Sequence, residues 1–587
     1  HLLITNKHAF EEEFSEYTVG VFKMNVGQNL GPNHTFKVKR TEIGFHDSKD
    51  VAMIEVLSMP PQKDIMNLWC EGFVPITNAI ELTREEDGTL TINEVFAIQF
   101  VNNMELIVGS MDAYHGMGNM ETRNGMCGSL CVAKTPQGPI VVGIHIAGKS
   151  RHTAMLLVTK GDLLQLEEKA KFSKRPIIQG GGKPKLGLKD EIPLTEPHHK
   201  SILRYLETGT LNIYGSFAGM RPKPKSKVCK TPLQEDFLQH YNVKVEHGAP
   251  CMTGWEPWRK NVVEMIKPNV DYKRDTLKKC VEGYTRDIIS NLPRDWKKQL
   301  VILSDKSSVN GLPGVIFIDG INRKSSMGFP WNKAKKNFLH DAKDEKYPDG
   351  CDFGPEVWDR VRYIENLYSE GKRAYPVFTG HLKDEATPLQ KVEIKKIRLF
   401  TGAPIDWSLV VRKNLLSFVR LVQLNKYVFE AGPGMVTQSI EWTELYHYLC
   451  KHGDDQIVAG DYGKFDKRMI ADFILAAFDV IINIHREAGF SDQELRQISG
   501  IAEDTAFPLS NLNNDLVEFF GTNPSGHPLT VIINSLVNAL YMRYCYVELN
   551  PYGHCADFKD NVSLMTYGDD NVMGVSKSIP WFNHTAI

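Results

Sequence analysis

A stretch rich in glycine, proline and lysine, KRPIIQGGGKPKLGLKDEIP at residues 174–193, divides the chain into halves of different pattern. Ahead of it, short β-type runs (HTFKVKRTEIGF, VAMIEV, SLCVAK, IVVGIHIAG) are broken by Gly, Pro and Asn, which predicts an all-β unit. Behind it the pattern is mixed. Apolar residues at Ile470, Phe473, Ile474, Ala477, Phe478, Ile481 and Ile484 recur at three- and four-residue steps, predicting a helix over 468–487 in an α+β unit. The dividing composition favours an open chain, so residues 171–199 are expected to form a linker. A chain of 587 residues agrees, because single cores stop growing at roughly 250–300 residues.

Apolar content of 42% and charged content of 24% are those of a soluble globular protein, and no apolar run reaches the roughly 18 residues that span a bilayer. A net charge of -2 leaves nucleic-acid binding to local basic clusters. The ten cysteines are dispersed apart from Cys127 and Cys131, so neither a disulfide framework nor a paired zinc site is suggested, and a reducing setting fits best. The opening HLLITNKHAF has no initiator Met and no signal-like segment, as expected of a piece of something longer.

In SLMTYGDDNVMGV (563–575), Asp569 and Asp570 occupy a Gly-led turn between two apolar arms, which predicts a hairpin with charge at its tip. Upstream, QIVAGDYGKFDKRM ends an apolar strand at Asp461 and places Asp466 five residues later. Asp461 and Asp569 are expected to face one another. Gathered carboxylates repel unless a cation compensates, and hard oxygen ligands suit Mg²⁺ or Mn²⁺. Two such ions about 3.5–4 Å apart serve phosphoryl transfer.

Taken alone, a Gly-Asp-Asp turn is more often only a turn, and three further stretches decide the matter. NPSGHPLTVIINSLVNALYMRY leads from a Ser525-Gly526 loop into a helix with Thr530, Asn534 and Asn538 on one face, suited to reading a sugar hydroxyl or to packing as a polar helix face. HLKDEATPLQKVEIKKIRLF supplies Lys383, Lys391, Lys395, Lys396 and Arg398, cations suited to a triphosphate or to a solvated strand. NRKSSMGFPWNKAKK, with Ser325, Ser326, Gly328 and Pro330, is suited to tracking a phosphodiester chain or to ordinary surface. In the front half, ETRNGMCGSLC sets Cys127 among glycines whose backbone N–H groups (Gly125, Met126, Cys127) suit an oxyanion hole, although an isolated Cys is more often structural. His8 and Asp50 complete a base and an orienter in the order His, Asp, Cys.

Over residues 200–587 these segments, in this order, resemble the RNA-dependent RNA polymerases of picornavirus-like positive-strand RNA viruses. The resemblance implies a right-hand α+β fold of fingers and palm. It implies Asp461 and Asp569 as metal ligands with Asp570 assisting, and ribose selection by Asp466 and Asn534 with Ser525 nearby. Ser525, Gly526, Thr530 and Asn534 would form the ribose-reading loop and helix, Lys383, Lys391, Lys396 and Arg398 the nucleotide-binding segment, and Ser325, Ser326, Gly328 and Pro330 the template channel.

Residues 1–170 resemble the chymotrypsin-like cysteine protease of the same polyproteins, a double β-barrel, with catalytic His8, Asp50 and Cys127 and with Thr122 and His145 lining a pocket for glutamine. Relatives use Asp or Glu as the acid, so Glu42 stands as the alternative to Asp50. Such a protease cuts Gln-Gly bonds, and self-cleavage is expected at Gln179-Gly180. The resemblance implies two Mg²⁺ or Mn²⁺ ions for the polymerase and no cofactor for the protease. Implied partners are RNA template and primer, NTPs, polyprotein substrates, a protein primer and a membrane-associated replication complex in the host cytoplasm.

Only seven residues precede His8 and 17 follow Asp570, so the first barrel is expected to be incomplete and the thumb, with the Lys that protonates pyrophosphate, to be missing. Two rival readings are a reverse transcriptase with an appended protease, which the polar Asp466 and Asn534 disfavour, and a non-catalytic RNA-binding replication scaffold.

Overall fold

The computed structural model describes residues 2–10, 13–21, 34–85, 89–206, 211–221, 223–267 and 271–587. The chain divides into two compact units, the first built mainly from His1–Lys174 with Pro268–Asp275, the second from Arg175–Leu206, Thr210–Lys267 and Thr276–Ile587.

In the first unit, six antiparallel strands close a barrel in the order Gly138–Lys149, His152–Leu157, Gly109–Gly118, Leu90–Leu106, Ala79–Arg84 and Leu130–Thr135. Alternate residues point inward, and Val95, Ile98, Tyr114, Cys131, Val142 and Met155 fill part of the interior. Ahead of the barrel, Leu2–Thr5, Ala52–Glu55 and Gly44–Phe45 form a three-stranded sheet, and Glu16–Val21 pairs with His34–Lys39. Among the described residues one barrel closes; of the two in the expected double barrel, the first was expected to be incomplete. Helix Lys160–Ala170 starts at a capping box, in which the Thr159 hydroxyl accepts from Asp162 N and the Asp162 carboxylate accepts from Thr159 N, and it buries Leu163, Leu166 and Ala170.

The second unit is α+β. Its larger sheet runs Leu194–Thr195, Leu211–Phe217, Asp515–Phe519, Leu509–Leu512, Val377–Leu382 and Leu399–Gly402. Its smaller sheet runs Ile457–Gly460, Asp570–Val575 and Val562–Tyr567, with helix Thr530–Leu549 packed on Val562–Tyr567 and on helix Ala471–Glu487. The helix expected over 468–487 begins at Ala471, after the short helix Phe465–Arg468. No helix among the described residues is long and apolar enough to cross a membrane.

The linker expected over 171–199 is corrected: from Arg175 onward it is folded onto the second unit. The Arg175 guanidinium pairs with Asp479 at 2.7 Å and Glu503 at 3.3 Å. Ile178 is buried, and Leu186, Leu188, Ile192 and Leu194 pack against Phe217, Phe329, Tyr375 and Leu516. These isolated apolar residues outweigh the Gly, Pro and Lys around them, because each buried aliphatic side chain contributes about 1.5–3 kcal/mol. Gln179 N donates to Gly371 O (2.7 Å) and Arg373 N donates to Gln179 O (2.9 Å), so the Gln179-Gly180 peptide is hydrogen-bonded in place.

The central strand of the small sheet approaches a helix end so closely that a side chain at Gly574 has no room. A Cβ there would lie 1.9 Å from the carbonyl oxygen of Leu449, a backbone atom that cannot swing aside. Gly574→Ala is expected to lower stability by about 2–4 kcal/mol, measured by urea unfolding. An unchanged midpoint would show that the strand and helix are not held this tightly.

Candidate active site

The carboxylate hairpin forms as the sequence implies. Tyr567 pairs with Asp570, leaving Gly568 and Asp569 as a two-residue turn, and Gly568 takes φ +65°, which glycine adopts without strain. Gly460 pairs with Asn571, so Asp461 emerges from the neighbouring strand beside the hairpin tip. Asp461, Asp569 and Asp570 are all exposed.

Two residues of helix Thr530–Leu549 hold the turn. Asn538 Nδ2 donates to the carbonyls of Gly568 (3.1 Å), Asp569 (3.2 Å) and Asp570 (3.2 Å), while its Oδ1 accepts from Tyr462 Oη (3.3 Å) and Asn571 Nδ2 (3.4 Å). Ser535 Oγ accepts from Gly568 N at 2.9 Å. The sequence reading placed Asn538 on the sugar-reading face and passed over Ser535. The signal was there in their four- and three-residue offsets from Val531 and Ser535, but nothing local says which polar face meets a turn.

Asn534, one turn before Asn538, does reach Asp466: its Nδ2 lies 2.5 Å from Asp466 Oδ1. Asn523 Nδ2 donates to Asn534 Oδ1 at 2.6 Å, and His527 Nε2 lies 3.0 Å from Asn523 Oδ1. Burial pushes the His527 imidazole down to about 3, so the ring is neutral and this chain of amides is fixed without a charge. Burial also raises Asp466, against the Asn534 hydrogen bond, and the nearby Asp569 charge adds to the rise. Thr530 departs from its expected role. Its hydroxyl accepts from His527 N (3.1 Å) and donates to Pro524 O (2.8 Å), closing its own turn. Ser525 Oγ accepts from Thr401 N (3.2 Å), and Gly526 O accepts from Ala403 N (2.9 Å), so this loop is fastened to strand Leu399–Gly402.

These pieces open on one cavity of about 890 Å³, lined by Asp466, Asp569 and Ser525 together with Lys383, Lys391, Lys396 and Arg398. Eight Lys or Arg side chains line it against four Asp or Glu. A chain of net charge -2 therefore concentrates positive charge where Asp569 reaches in. Asp461 and Asp570 are not among the lining residues. No three His, Cys, Asp or Glu side chains among the described residues are gathered closely enough to hold a metal ion. Asp461, Asp569 and Asp570 share one end of the small sheet. Their oxygen chemistry and their placement on adjoining strands fit a hard divalent cation, which would draw them together.

The segment expected to follow the template faces two ways. Ser325 is half-buried and Ser326 exposed, with Lys335 Nζ donating to Ser325 Oγ (2.7 Å) and Ser326 O (2.8 Å). Gly328 is buried, and Phe329, just before Pro330, stacks on Phe217 at 5.2 Å. Gly328 therefore serves the core rather than the surface.

In the first unit, Asp50 is buried and holds His8 twice: its Oδ1 accepts from His8 N (2.7 Å), and its Oδ2 lies 2.5 Å from His8 Nδ1. Glu42 is engaged elsewhere, accepting from Lys39 N at 2.9 Å and facing Arg274 Nε at 3.7 Å. Cys127 is exposed, and burial of its sulfur, with the Asp50 charge second, pushes the thiol up. Of the backbone donors expected beside it, Met126 N is directed to Arg123 O (3.4 Å), leaving Gly125 and Cys127 as the donors to consider. His145 is buried, with Nδ1 2.8 Å from Glu81 Oε1 and 2.9 Å from Thr153 Oγ1. Burial opposes the charge of Glu81, yet His145, Thr153 and Asn93 together hold its carboxyl below the usual value. Thr122 is half-buried and donates to Ser150 O at 3.0 Å.

A family model described as viral RNA-dependent RNA polymerase matches residues 249–586. The chain is 26% identical over 507 residues to the genome polyprotein of Deformed wing virus, a match covering 81% of this chain and 16% of that one. It is 27% identical over 475 residues to the RNA1 polyprotein of Arabis mosaic virus (isolate NW), covering 78% and 19%. The chain thus spans under a fifth of the length of these polyproteins. Among solved structures it is similar to a Sicinivirus 3Dpol RNA dependent RNA polymerase, with a TM-score of 0.49 and 18% identity, covering 62% of this chain and 71% of that one.

Removing the Asn538 amide strands three turn carbonyls. N538A is expected to cost about 1–3 kcal/mol and S535A about 0.5–1.5 kcal/mol, read as shifts in the urea midpoint. N538A at the wild-type midpoint would mean that the turn stands unaided.

Proposed function

The chain belongs to the viral RNA-dependent RNA polymerase family, and we propose that its second unit joins ribonucleotides on an RNA template. The observation that carries this reading is the cationic cavity lined by both Asp569 and Asp466, the latter held by Asn534. Lys383, Lys391, Lys396 and Arg398 bind the triphosphate and offset its charge. Asp466 and Asn534, already hydrogen-bonded to one another, read the ribose hydroxyl. A deoxynucleotide offers no hydroxyl to the Asp466 oxygen and the Asn534 N–H that this hydrogen bond leaves over, at about 1–3 kcal/mol per group. The primer 3′-OH attacks the α-phosphate, forming a new P–O bond as the bond to pyrophosphate breaks. When bound at Asp461, Asp569 and Asp570, two divalent ions, Mg²⁺ or Mn²⁺, supply activation of that hydroxyl and stabilisation of the leaving oxygen. Asn538 and Ser535 keep the turn, and with it Asp569, in place throughout.

The His8–Asp50 pair supports a second activity for the first unit, a cysteine protease specific for glutamine. With its thiol pushed up, Cys127 is largely protonated near neutral pH, so attack needs a base at hand rather than a pre-formed thiolate. His8, oriented by Asp50, takes that proton, and the Gly125 and Cys127 N–H groups hold the oxyanion. Thr122 and His145 line the glutamine pocket, the ring of His145 being fixed by Glu81. Substrates are then other junctions of the polyprotein. The Gln179-Gly180 bond is one candidate, and it must leave its hydrogen bonds to Gly371 and Arg373 before it can be cut. Template and primer RNA, NTPs, a protein primer and cytoplasmic replication complexes are the partners this reading implies.

D461A is expected to abolish metal-dependent, RNA-templated primer extension while sparing peptide cleavage, and C127A to do the reverse. Loss of both activities in each variant would break the two-site reading. D50N is expected to slow cleavage by about 10²–10⁴-fold, with E42Q near wild type; full cleavage by D50N would remove Asp50 from the mechanism.

A further inference from the structure

The segment Lys464–Arg468 carries three cations, and the structure treats one of them differently. Lys464 Nζ lies 2.7 Å from Glu264 Oε1 and Arg468 Nη2 lies 2.9 Å from Glu264 Oε2, so both arms of that carboxylate are taken. Burial opposes the Glu264 charge, but Lys464, Arg468 and Lys267 hold its carboxyl down to about 2. Lys467 has no carboxylate within ion-pair distance among the described residues; its ammonium donates to the amide oxygen of Asn261. Asn261 is itself immobilised, buried with Nδ2 donating to Pro257 O (2.7 Å) and Ile397 O (2.9 Å). The ammonium is therefore aimed and fixed, on the wall of the same cavity as Lys383, Arg398 and Asp569, with a neutral partner only.

A largely buried charge without a counter-charge is costly, and it is retained where a ligand brings the missing anion. We infer that Lys467 directly contacts the phosphates of the incoming nucleotide, adding to the basic segment a cation from the separate helix Phe465–Arg468. The inference rests on the polymerase reading of the cavity. Burial has pushed this ammonium down to about 8, with Lys464 and Arg398 lowering it further and Glu264 and Asp466 opposing. The charged groups acting most strongly on it are Lys464 and Asp466 on its own segment, Glu264 on helix Glu256–Met265, and Arg398 beside strand Leu399–Gly402, while Arg259, Lys260, Lys383 and Asp569 line the same cavity. Lys467 is charged below that value and neutral above it. Phosphate binding raises the value, so affinity is lost as pH climbs through roughly 8–10.

The probe is inorganic triphosphate with EDTA present, titrated into the full chain by calorimetry, so that no metal carries the contact. K467M is expected to bind about tenfold more weakly, and K467R within a few-fold of wild type. K467R should also keep its affinity at high pH, where wild type loses it. Equal affinity in wild type and K467M, equal loss in K467R and K467M, or no binding by wild type would each overturn the inference. Primer extension separates it from the reading beneath. An unchanged NTP KM in K467M, with D461A inactive, sinks only the Lys467 contact. Extension that survives in D461A sinks the polymerase reading and leaves the triphosphate site standing.

Discussion

Arg543 and Glu430, both fully buried, meet in a two-pronged pair with Nη1–Oε2 at 2.5 Å and Nη2–Oε1 at 3.0 Å, and the carboxylate hairpin hangs from it. Glu430 sits at φ +55°, ending helix Lys426–Phe429, and its carbonyl accepts from both N (2.9 Å) and Oγ1 (2.8 Å) of Thr566, two residues before the Gly568 turn. Arg543 belongs to the helix that also carries Ser535 and Asn538, and its guanidinium is sandwiched by the rings of Tyr284 and Phe558. One helix thus grips the hairpin strand through an ion pair at one point and through neutral amide and hydroxyl contacts at the tip. Breaking a buried pair by removing one partner costs about 3–5 kcal/mol. The pair is therefore less a source of net stability than a device that allows only one seating of the strand.

Much of this was legible in residue order. The hairpin, the strand ending at Asp461 and the amphipathic helix after Asp466 follow from local patterns of two and 3.6 residues, whereas the link between Asp466 and Asn534, 68 residues apart, came from the family resemblance alone. What was not legible depends on contacts far apart in sequence. Residues 175–199 look like a spacer because their apolar residues are sparse, and only the surface formed by Phe217, Phe329 and Leu516 makes them a covering strap. Thr530, Asn534 and Asn538 share one face, yet one closes a turn, one meets Asp466 and one braces the hairpin. Helical spacing gives the face and says nothing of the three different partners lying along it.

The choice of Asp50 over Glu42 illustrates the same limit at one residue. Both are acidic and both lie near β-type runs, but only Asp50 is buried where it can hold the His8 ring and the His8 N–H together. Charge shows a similar divide. The whole chain is close to neutral, while eight cations face four acids around a single cavity, an imbalance that composition averages away.

The crowding at Gly574 has a genetic side. Every glycine codon begins with two guanines, so any copying error at either of those bases places a side chain or a stop where Leu449 O leaves no space. Chains of this family are encoded by RNA viruses, and in such a genome this codon tolerates changes only at its third base. The sheet that presents Asp569 thereby sets, at one strand position, an upper bound on how carelessly its own message can be copied.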